Sequence, residues 1–313
     1  MSSEGGTKAV VAALGANLGI AVTKFAAFAL TSSSSMLAEA IHSVADSGNQ
    51  VLLLVGGRRA QRRATPTHPF GYGRERYVYA FIVSVVLFTV GGLFAVYEGI
   101  HKLGHPEPIH SWHWVPVAVL VVAIVLESLS FRTAIRETRP LLNGASWGEF
   151  IRRARAPELP VILLEDFAAL VGLILALFGV GLTLLTGSGV WDAVGTLAIG
   201  ALLVVVAVVL AVEMKSLLVG EGAGKHDVSA IRAAAVDGHT VTDVIHLRTM
   251  YLGPEELLVA MKIAVQHDDT AEEVAKAIDA AEARIRTAVP EARLVYLEPD
   301  VRRPGPLPQP TTG

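Results

Sequence analysis

Four ionisable or amide side chains recur along the largely apolar stretch of residues 32–57, which also carries Gln50: Glu39, His42, Asp46 and Asn49. Their spacing of three, four and three residues places them on one stripe of an α-helix. His42 and Asp46, one turn apart, could share one ligand, and imidazole with carboxylate is a common pair for a divalent metal. The stripe could instead join two helices by hydrogen bonds.

A second acidic pair, Glu165 and Asp166, lies about six residues inside the apolar run 160–185. At about 1.5 Å of rise per residue, His42 and Asp166 both fall near the middle of a bilayer core about 30 Å thick. Unpaired carboxylates are costly there. A divalent cation held between the two helices would offset that cost.

Composition supports a membrane setting for these groups. The 313 residues are 52% hydrophobic and 18% charged, and the mean hydropathy is +0.50. These values are unlike those of soluble domains. A net charge of −3 gives no indication of nucleic-acid binding, and the absence of cysteine excludes thiolate ligands and disulfides. The N-terminus shows no removable signal peptide, so we expect the first helix to target the chain.

Six segments are long and apolar enough to span a membrane: residues 8–31, 34–57, 77–100, 114–131, 160–185 and 190–212. The loops after the second and fourth segments are rich in arginine. The other loops contain no arginine and a single lysine, Lys102. The positive-inside rule therefore predicts that both termini lie in the cytosol.

The character of the chain changes after Glu213, which predicts a membrane domain over residues 1–213 and a cytosolic α+β domain over 214–300. Asp227 could cap a first helix, and Thr270 with Glu273 forms a capping box for a second. Strands are predicted over 241–251, 257–265 and 292–297. The order is thus αββαβ, a ferredoxin-like arrangement, and the Pro-rich residues 301–313 are expected to form a disordered tail.

Four stretches resemble the cation diffusion facilitator family. They are SMLAEAIHSVADSGNQ, with the family's H-x-x-x-D; the loop HPFGYGRER; WDAVGTLAIGALL; and, near the C-terminus, VTDVIHLRTMYLGPEELLVAMKIAV with YLEPD. One departure stands out, because Ile162 occupies the place of the family's His four residues before Asp166. The chain in this respect resembles a divergent zinc-transporter branch that reads Leu-Glu-Asp on its fifth helix.

The resemblance implies a transporter, not an enzyme, that exports a divalent cation against protons from a midplane site. It implies a homodimer in the lipid bilayer, with no organic cofactor. Zn²⁺ is the favoured cargo, with Mn²⁺, Co²⁺ or Fe²⁺ as alternatives. A composition rich in Ala, Val, Gly and Arg indicates a bacterial inner membrane. The expected ligands are His42, Asp46, Asp166 and Glu165, and the possible accessory groups are Asn17, Glu39 and Asn49.

Several other residues are weaker candidates for metal binding or have structural roles. His68 in the cytosolic loop, and His246, His267 and Glu298 in the cytosolic domain, could form second metal sites. Ordinary positions in a loop or on the solvated surface are the favoured explanation for all four. His101, His105, His110 and His113 could form an outer-loop cluster. Lys24 is expected to pair with an acid or snorkel, Glu127 to snorkel near a helix end, and Asp192 to cap a helix.

Two other classes of protein share part of this pattern. An intramembrane aspartyl protease needs Gly-x-Gly-Asp, and the chain has Leu-Glu-Asp instead. A non-transporting membrane protein with a partner-binding cytosolic domain is the other alternative, since Ile162 leaves one ligand position empty. Motifs of phosphate-binding loops and zinc proteases are absent.

Overall fold

A computed structural model describes residues 3–106, 114–142, 144 and 146–301, with side chains from residue 17 onward. Its contacts divide the chain into two compact units. One is helical and contains the chain up to Thr67 together with Arg74–Leu218. The other contains the loop His68–Gly73 and the chain from Val219 onward.

Long helices make up the first unit: α1 (Ser3–Thr31), α2 (Ser34–Ala60), α3 (Glu75–Val86), a π-helical segment (Leu87–Leu93), α4 (Phe94–Gly104), α5 (Trp114–Thr138), a 3₁₀ turn (Arg139–Leu142), α6 (Trp147–Arg153), α7 (Glu158–Thr186) and α8 (Val190–Val219). The segments α3, π and α4 form one continuous helix. The short α6 was not expected from the sequence.

Four helices are long and apolar enough to cross a membrane: Glu75–Gly104, Trp114–Leu142, Glu158–Thr186 and Val190–Val219. They coincide with four of the six predicted spans. The described apolar part of α1 is shorter, Asn17–Thr31. Helix α2 is continuous over 27 residues, but its polar stripe lowers its mean hydropathy. The arrangement of six spans therefore stays a prediction.

Helix α2 starts at an unusually well-satisfied cap. Ser33 is the N-cap residue, and its hydroxyl accepts the amide hydrogen of Met36. The Asp192 carboxylate, from the first turn of α8, accepts from Ser33 Oγ at 2.8 Å and from the Ser34 amide at 2.7 Å. We expected Asp192 to cap its own helix. It caps α2 instead, because the two helix starts meet.

Inside the bundle, α2 packs against α1, α3 and α7, while α5 packs against α7 and α1. Small residues permit other helices of the bundle to approach one another closely. A Cβ added at Gly200 of α8 would come within 2.8 Å of the Val96 amide nitrogen on α4. Such contacts are typical of membrane bundles, where packing rather than exclusion of water holds helices together.

The second unit has the predicted αββαβ order: α9 (Lys225–Ala235), β1 (Val241–Gly253), β2 (Glu256–Val265), α10 (Ala271–Ala288) and β3 (Leu294–Val301). Strand β2 is central, antiparallel to β1 and parallel to β3. The two helices pack against each other. In addition, α9 packs against β1 and α10 against β3. A ferredoxin-like classification, and the predicted domain boundary at 213–214, stay predictions.

Of the two helix caps predicted in this unit, the structure confirms one and contradicts the other. The Thr270–Glu273 capping box is confirmed, with the Thr270 amide donating to Glu273 Oε2 at 2.8 Å. Asp227 is not a cap: Gly224 holds the N-cap position, and α9 begins two residues before Asp227. Val301 is still in β3, and residues 302–313, predicted to be a disordered tail, lie outside the described residues.

Candidate functional site

The helical unit encloses a cavity of about 40 Å³ between four helices. It exceeds the volume of roughly 10–15 Å³ that one water molecule needs. Its lining comes from α1, α2, α5 and α7: Asn17, Ile20, Ser43, Asp46, Gln50, Glu127, Ser130, Ile162, Glu165 and Asp166. The cavity thus brings together three of the four predicted ligands and one predicted accessory residue.

His42 lies beside this cavity rather than in its lining. It is 1% exposed, and its Nδ1 stands 3.4 Å from Asp46 Oδ1. Neither ring nitrogen has a hydrogen-bond partner among the described residues, and Asp46 Oδ1 also lacks one. The expected one-turn pairing of His42 with Asp46 is therefore present as a close contact, in which the polar atoms are left unsatisfied.

Glu165 is tied to α2 by a predicted accessory residue. Asn49 Nδ2 donates to Glu165 Oε1 at 2.7 Å, and both residues are buried. Consecutive residues on a helix point about 100° apart, yet Glu165 and Asp166 both line the cavity. They do so because the cavity reaches both α2 and α5, and each carboxylate faces one of these helices.

Asp166 faces α5, where Ser130 Oγ donates to its Oδ2 at 3.1 Å. Glu127 precedes Ser130 by three residues and lines the same cavity. We expected Glu127 to snorkel near the end of a helix that ends at residue 131. That expectation was wrong, since α5 continues to Thr138 and Glu127 lies in its interior.

Glu39 has a different role from the accessory one expected. Its Oε2 accepts from Lys24 Nζ at 2.9 Å, and both side chains are almost completely buried. Lys24 also donates to Ser43 Oγ at 2.8 Å. Glu39 is not part of the cavity lining. It joins α2 to α1, and the predicted pairing of Lys24 with an acid is present.

No three His, Asp or Glu side chains in the described part of the chain are already placed to hold one metal ion. The cavity therefore has the right donor chemistry without a finished coordination shell. When ionised, its carboxylates repel one another. Asp46 lies close enough to Glu165 and Glu127 for electrostatic repulsion, and Glu127 lies close enough to Asp166. A cation or protons would relieve this repulsion.

The proposed second sites are not assembled in the residues that the structure describes. His68 packs its ring against Tyr72 at 4.6 Å. His246 is exposed on β1, where its Nε2 accepts from Arg248, and His267 is exposed beyond β2. Glu298 binds Lys262 Nζ at 3.0 Å.

That last contact has an electrostatic consequence. The hydrogen bonds that Lys262 donates to Glu298 and then to Asp300 raise the pKa of Lys262. The ammonium group is thus already paired with Glu298, a carboxylate expected at a second metal site. In the outer loop, His101 and His105 have ring centroids 5.8 Å apart, while His110 and His113 lie outside the described residues.

Comparison with known proteins decides the family. The model of the cation efflux transmembrane domain matches residues 10–219, about two thirds of the chain. The chain belongs to the cation efflux family, the cation diffusion facilitators. The resemblance stated from the motifs is confirmed, and the helical unit is a membrane domain.

Similar proteins occur in animals and in plants. The human protein named "Proton-coupled zinc antiporter SLC30A9, mitochondrial" is 33% identical over 74% of this chain and 41% of its own length. Its Xenopus laevis counterpart is 37% identical over 63% and 35%. Metal tolerance protein C4 of Arabidopsis thaliana is 28% identical over 79% and 54%. The chain thus aligns with less than half of either antiporter.

Similar solved structures cover about a quarter of the chain. One is the nickel form of a MamM CTD variant, with 24% identity and a TM-score of 0.24. It covers 26% of this chain and 100% of its own. At this TM-score the comparison supports no statement about the fold of this chain.

Proposed function

We propose that this protein is a secondary transporter that exports a divalent metal cation from the cytosol in exchange for protons. The observation that carries the proposal is the cavity in a membrane domain of the cation efflux family, into which α2, α5 and α7 direct carboxylates. Ionisable groups inside a membrane bundle mark an ion or proton pathway. Two similar proteins, both named as proton-coupled zinc antiporters, support this role.

The proposed ligands are Asp46, Asp166 and Glu165, joined by His42 after a side-chain movement. His42 Nδ1 already stands 3.4 Å from Asp46, and its ring makes no hydrogen bond that would have to be broken. Asn17 lines the cavity and could add an amide oxygen. Asn49 positions Glu165, and Glu39 fixes α1 on α2, so neither needs to touch the ion.

Proton exchange follows from the same groups. A metal requires neutral imidazole and ionised carboxylates, so binding releases protons and protons displace the metal. If the bundle opens the cavity alternately to the two sides, each departure of metal is matched by an entry of protons. The mutual repulsion of the carboxylates prevents the cavity from staying empty and fully ionised.

Zn²⁺ is the proposed cargo because the two antiporters are named for zinc and one imidazole lies at the site. The lining itself is dominated by oxygen donors. Such a set also suits Mn²⁺, Co²⁺ or Fe²⁺, which we keep as alternative cargo. We further propose a homodimer in a bacterial inner membrane, with both termini in the cytosol as the arginine-rich loops indicate.

The test is flux in proteoliposomes that contain the full chain. We expect a Zn²⁺ gradient to drive opposite proton movement with the parent protein, and Asp46→Asn to abolish both fluxes. Glu137→Gln is the matched control, because Glu137 is an exposed carboxylate outside the cavity. Absence of metal-driven proton flux in the parent would favour the non-transporting alternative. Parent-like flux in Asp46→Asn would reject the cavity as the site.

A further inference from the structure

Glu127 is a carboxylate within the membrane domain for which the sequence offered no function beyond snorkelling. It lies in the interior of α5, is half-buried and lines the cavity. No hydrogen bond or salt bridge ties it to another described residue. Carboxylates in such places are rare and are kept for a function, since leaving them unpaired is costly.

The cavity lacks a donor on the opposite helix. Ile162 stands one turn before Asp166 on α7, and both line the cavity. An isoleucine supplies no electron pair to a cation, so α7 provides only Glu165 and Asp166. Glu127 enters the same space from α5, close enough to Asp166 for their charges to repel. It is therefore placed to supply a donor that Ile162 does not.

A second observation indicates that the cavity is built to bind a polar ligand rather than merely to collect acids. His42 is 1% exposed, yet both ring nitrogens are without hydrogen-bond partners in the described chain. Its Nδ1 is directed at Asp46, whose buried Oδ1 is equally unsatisfied. Gln50 Oε1, from the cavity lining, is a third such atom. Buried polar atoms are nearly always paired, and unpaired ones on three neighbouring residues indicate a binding position for a cation or water.

We propose that Glu127 is a ligand of the transported divalent cation, and that α5 supplies through it the donor that Ile162 fails to supply from α7. This inference rests on the proposed function. Ser130 contributes by holding one oxygen of Asp166 at 3.1 Å, which leaves the other oxygen available to the ion. Replacing an imidazole by a carboxylate makes the ligand set richer in oxygen, which favours Mn²⁺ relative to a set with a second His.

Calorimetric titration of the purified full chain with Zn²⁺ and Mn²⁺ tests the proposal. We expect Glu127→Gln, which keeps the shape and removes the charge, to weaken Zn²⁺ binding by about 10–100-fold. Glu137→Gln, on the same helix but exposed, should bind within about twofold of the parent. Adding Ile162→His to Glu127→Gln should restore Zn²⁺ binding and leave Mn²⁺ binding weak, because imidazole prefers zinc.

The outcomes separate this inference from the proposed function. If Glu127→Gln binds like Glu137→Gln while Asp46→Asn loses binding, Glu127 is not a ligand and the site survives. If Asp46→Asn binds like the parent, the site itself is rejected. A loss in Glu127→Gln that Ile162→His does not restore would indicate a structural role for Glu127 and would also overturn the inference.

Discussion

The Asp192 carboxylate accepts the backbone amide hydrogen of Ser34 at 2.7 Å, so that the start of α8 caps the start of α2. A hydroxyl of Ser33 reaches the other oxygen at 2.8 Å. An anion at the N-terminus of α2 also complements the helix dipole. Because α2 carries His42 and Asp46, this cap fixes the axial position of the candidate site.

Replacing Asp192 should therefore loosen the site helix. Asp192→Asn removes the charge and turns one acceptor into a donor facing the Ser34 amide. We expect a loss of about 2 kcal/mol in the free energy of unfolding, since a lost cap costs about 1 kcal/mol and a buried unpaired group about 1–3 kcal/mol. Unfolding by SDS titration in mixed micelles measures the change.

Asp279→Asn is the control for that measurement, because Asp279 is exposed on α10. It should change the stability by less than about 0.5 kcal/mol. Equal stability of Asp192→Asn and Asp279→Asn would show that the cap contributes nothing.

Gly172 of α7 packs against Glu39, a member of the buried ion pair that joins α1 to α2. A Cβ at this position would stand 2.7 Å from Glu39 Oε1, whose other oxygen is held by Lys24. Gly172→Ala should thus destabilise the protein by about 1–3 kcal/mol and lower transport, because either α7 or Glu39 must shift. Thermal unfolding and zinc flux of the same preparations check both effects.

The same helix offers a matched control. A Cβ at Gly181 meets nothing within 4 Å. Gly181→Ala should be neutral or stabilising by about 0.5–1 kcal/mol, as expected for glycine in a helix interior. If both alanine variants behaved alike, the close packing of Glu39 against α7 would be refuted.

A pH effect is expected at the start of α10. Hydrogen bonds from the Thr270 amide and then its hydroxyl lower the pKa of Glu273 below its ordinary value of 4.5. The stabilisation by ionised Glu273 is therefore present above pH 4.5 and disappears as the pH falls through the lowered folded-state pKa. Glu273→Gln should be less stable than the parent at pH 7, and the difference should vanish at strongly acidic pH.

Denaturation of the full chain, followed by a probe in the C-terminal unit, measures this difference. Glu272→Gln serves as the comparison, because Glu272 pairs with Lys276 on the exposed face and does not bond to the cap. A difference between parent and Glu273→Gln that grows as the pH falls would have the wrong sign for this mechanism.

Local patterns in the sequence were sufficient for much of the fold. The Thr270–Glu273 capping box depends on residues three apart, and the order of elements in the C-terminal unit follows from alternation and turn residues. The end of α5 was missed because Arg132 and Arg136 read as loop charges, although a helix can extend beyond the bilayer. That error displaced Glu127 from the interior of α5 to a helix end.

Contacts between distant residues could not be predicted in the same way. Asp192 lies 158 residues from Ser34, and no spacing rule relates them. The pairing of Glu165 with Asn49 equally depends on how α7 packs against α2. By contrast, helix rise predicted His42 and Asp166 at one depth, and the structure places Asp166 in the lining of the cavity with His42 beside Asp46 of the same lining.

The most direct test of the central claim is anomalous scattering at the zinc edge from the full-length protein prepared with Zn²⁺. The account predicts a peak in the cavity between α2, α5 and α7, with carboxylate oxygens of Asp46 and Asp166 at about 2.0–2.2 Å from it. A fully occupied zinc found only in the C-terminal unit, with the cavity empty, would contradict it.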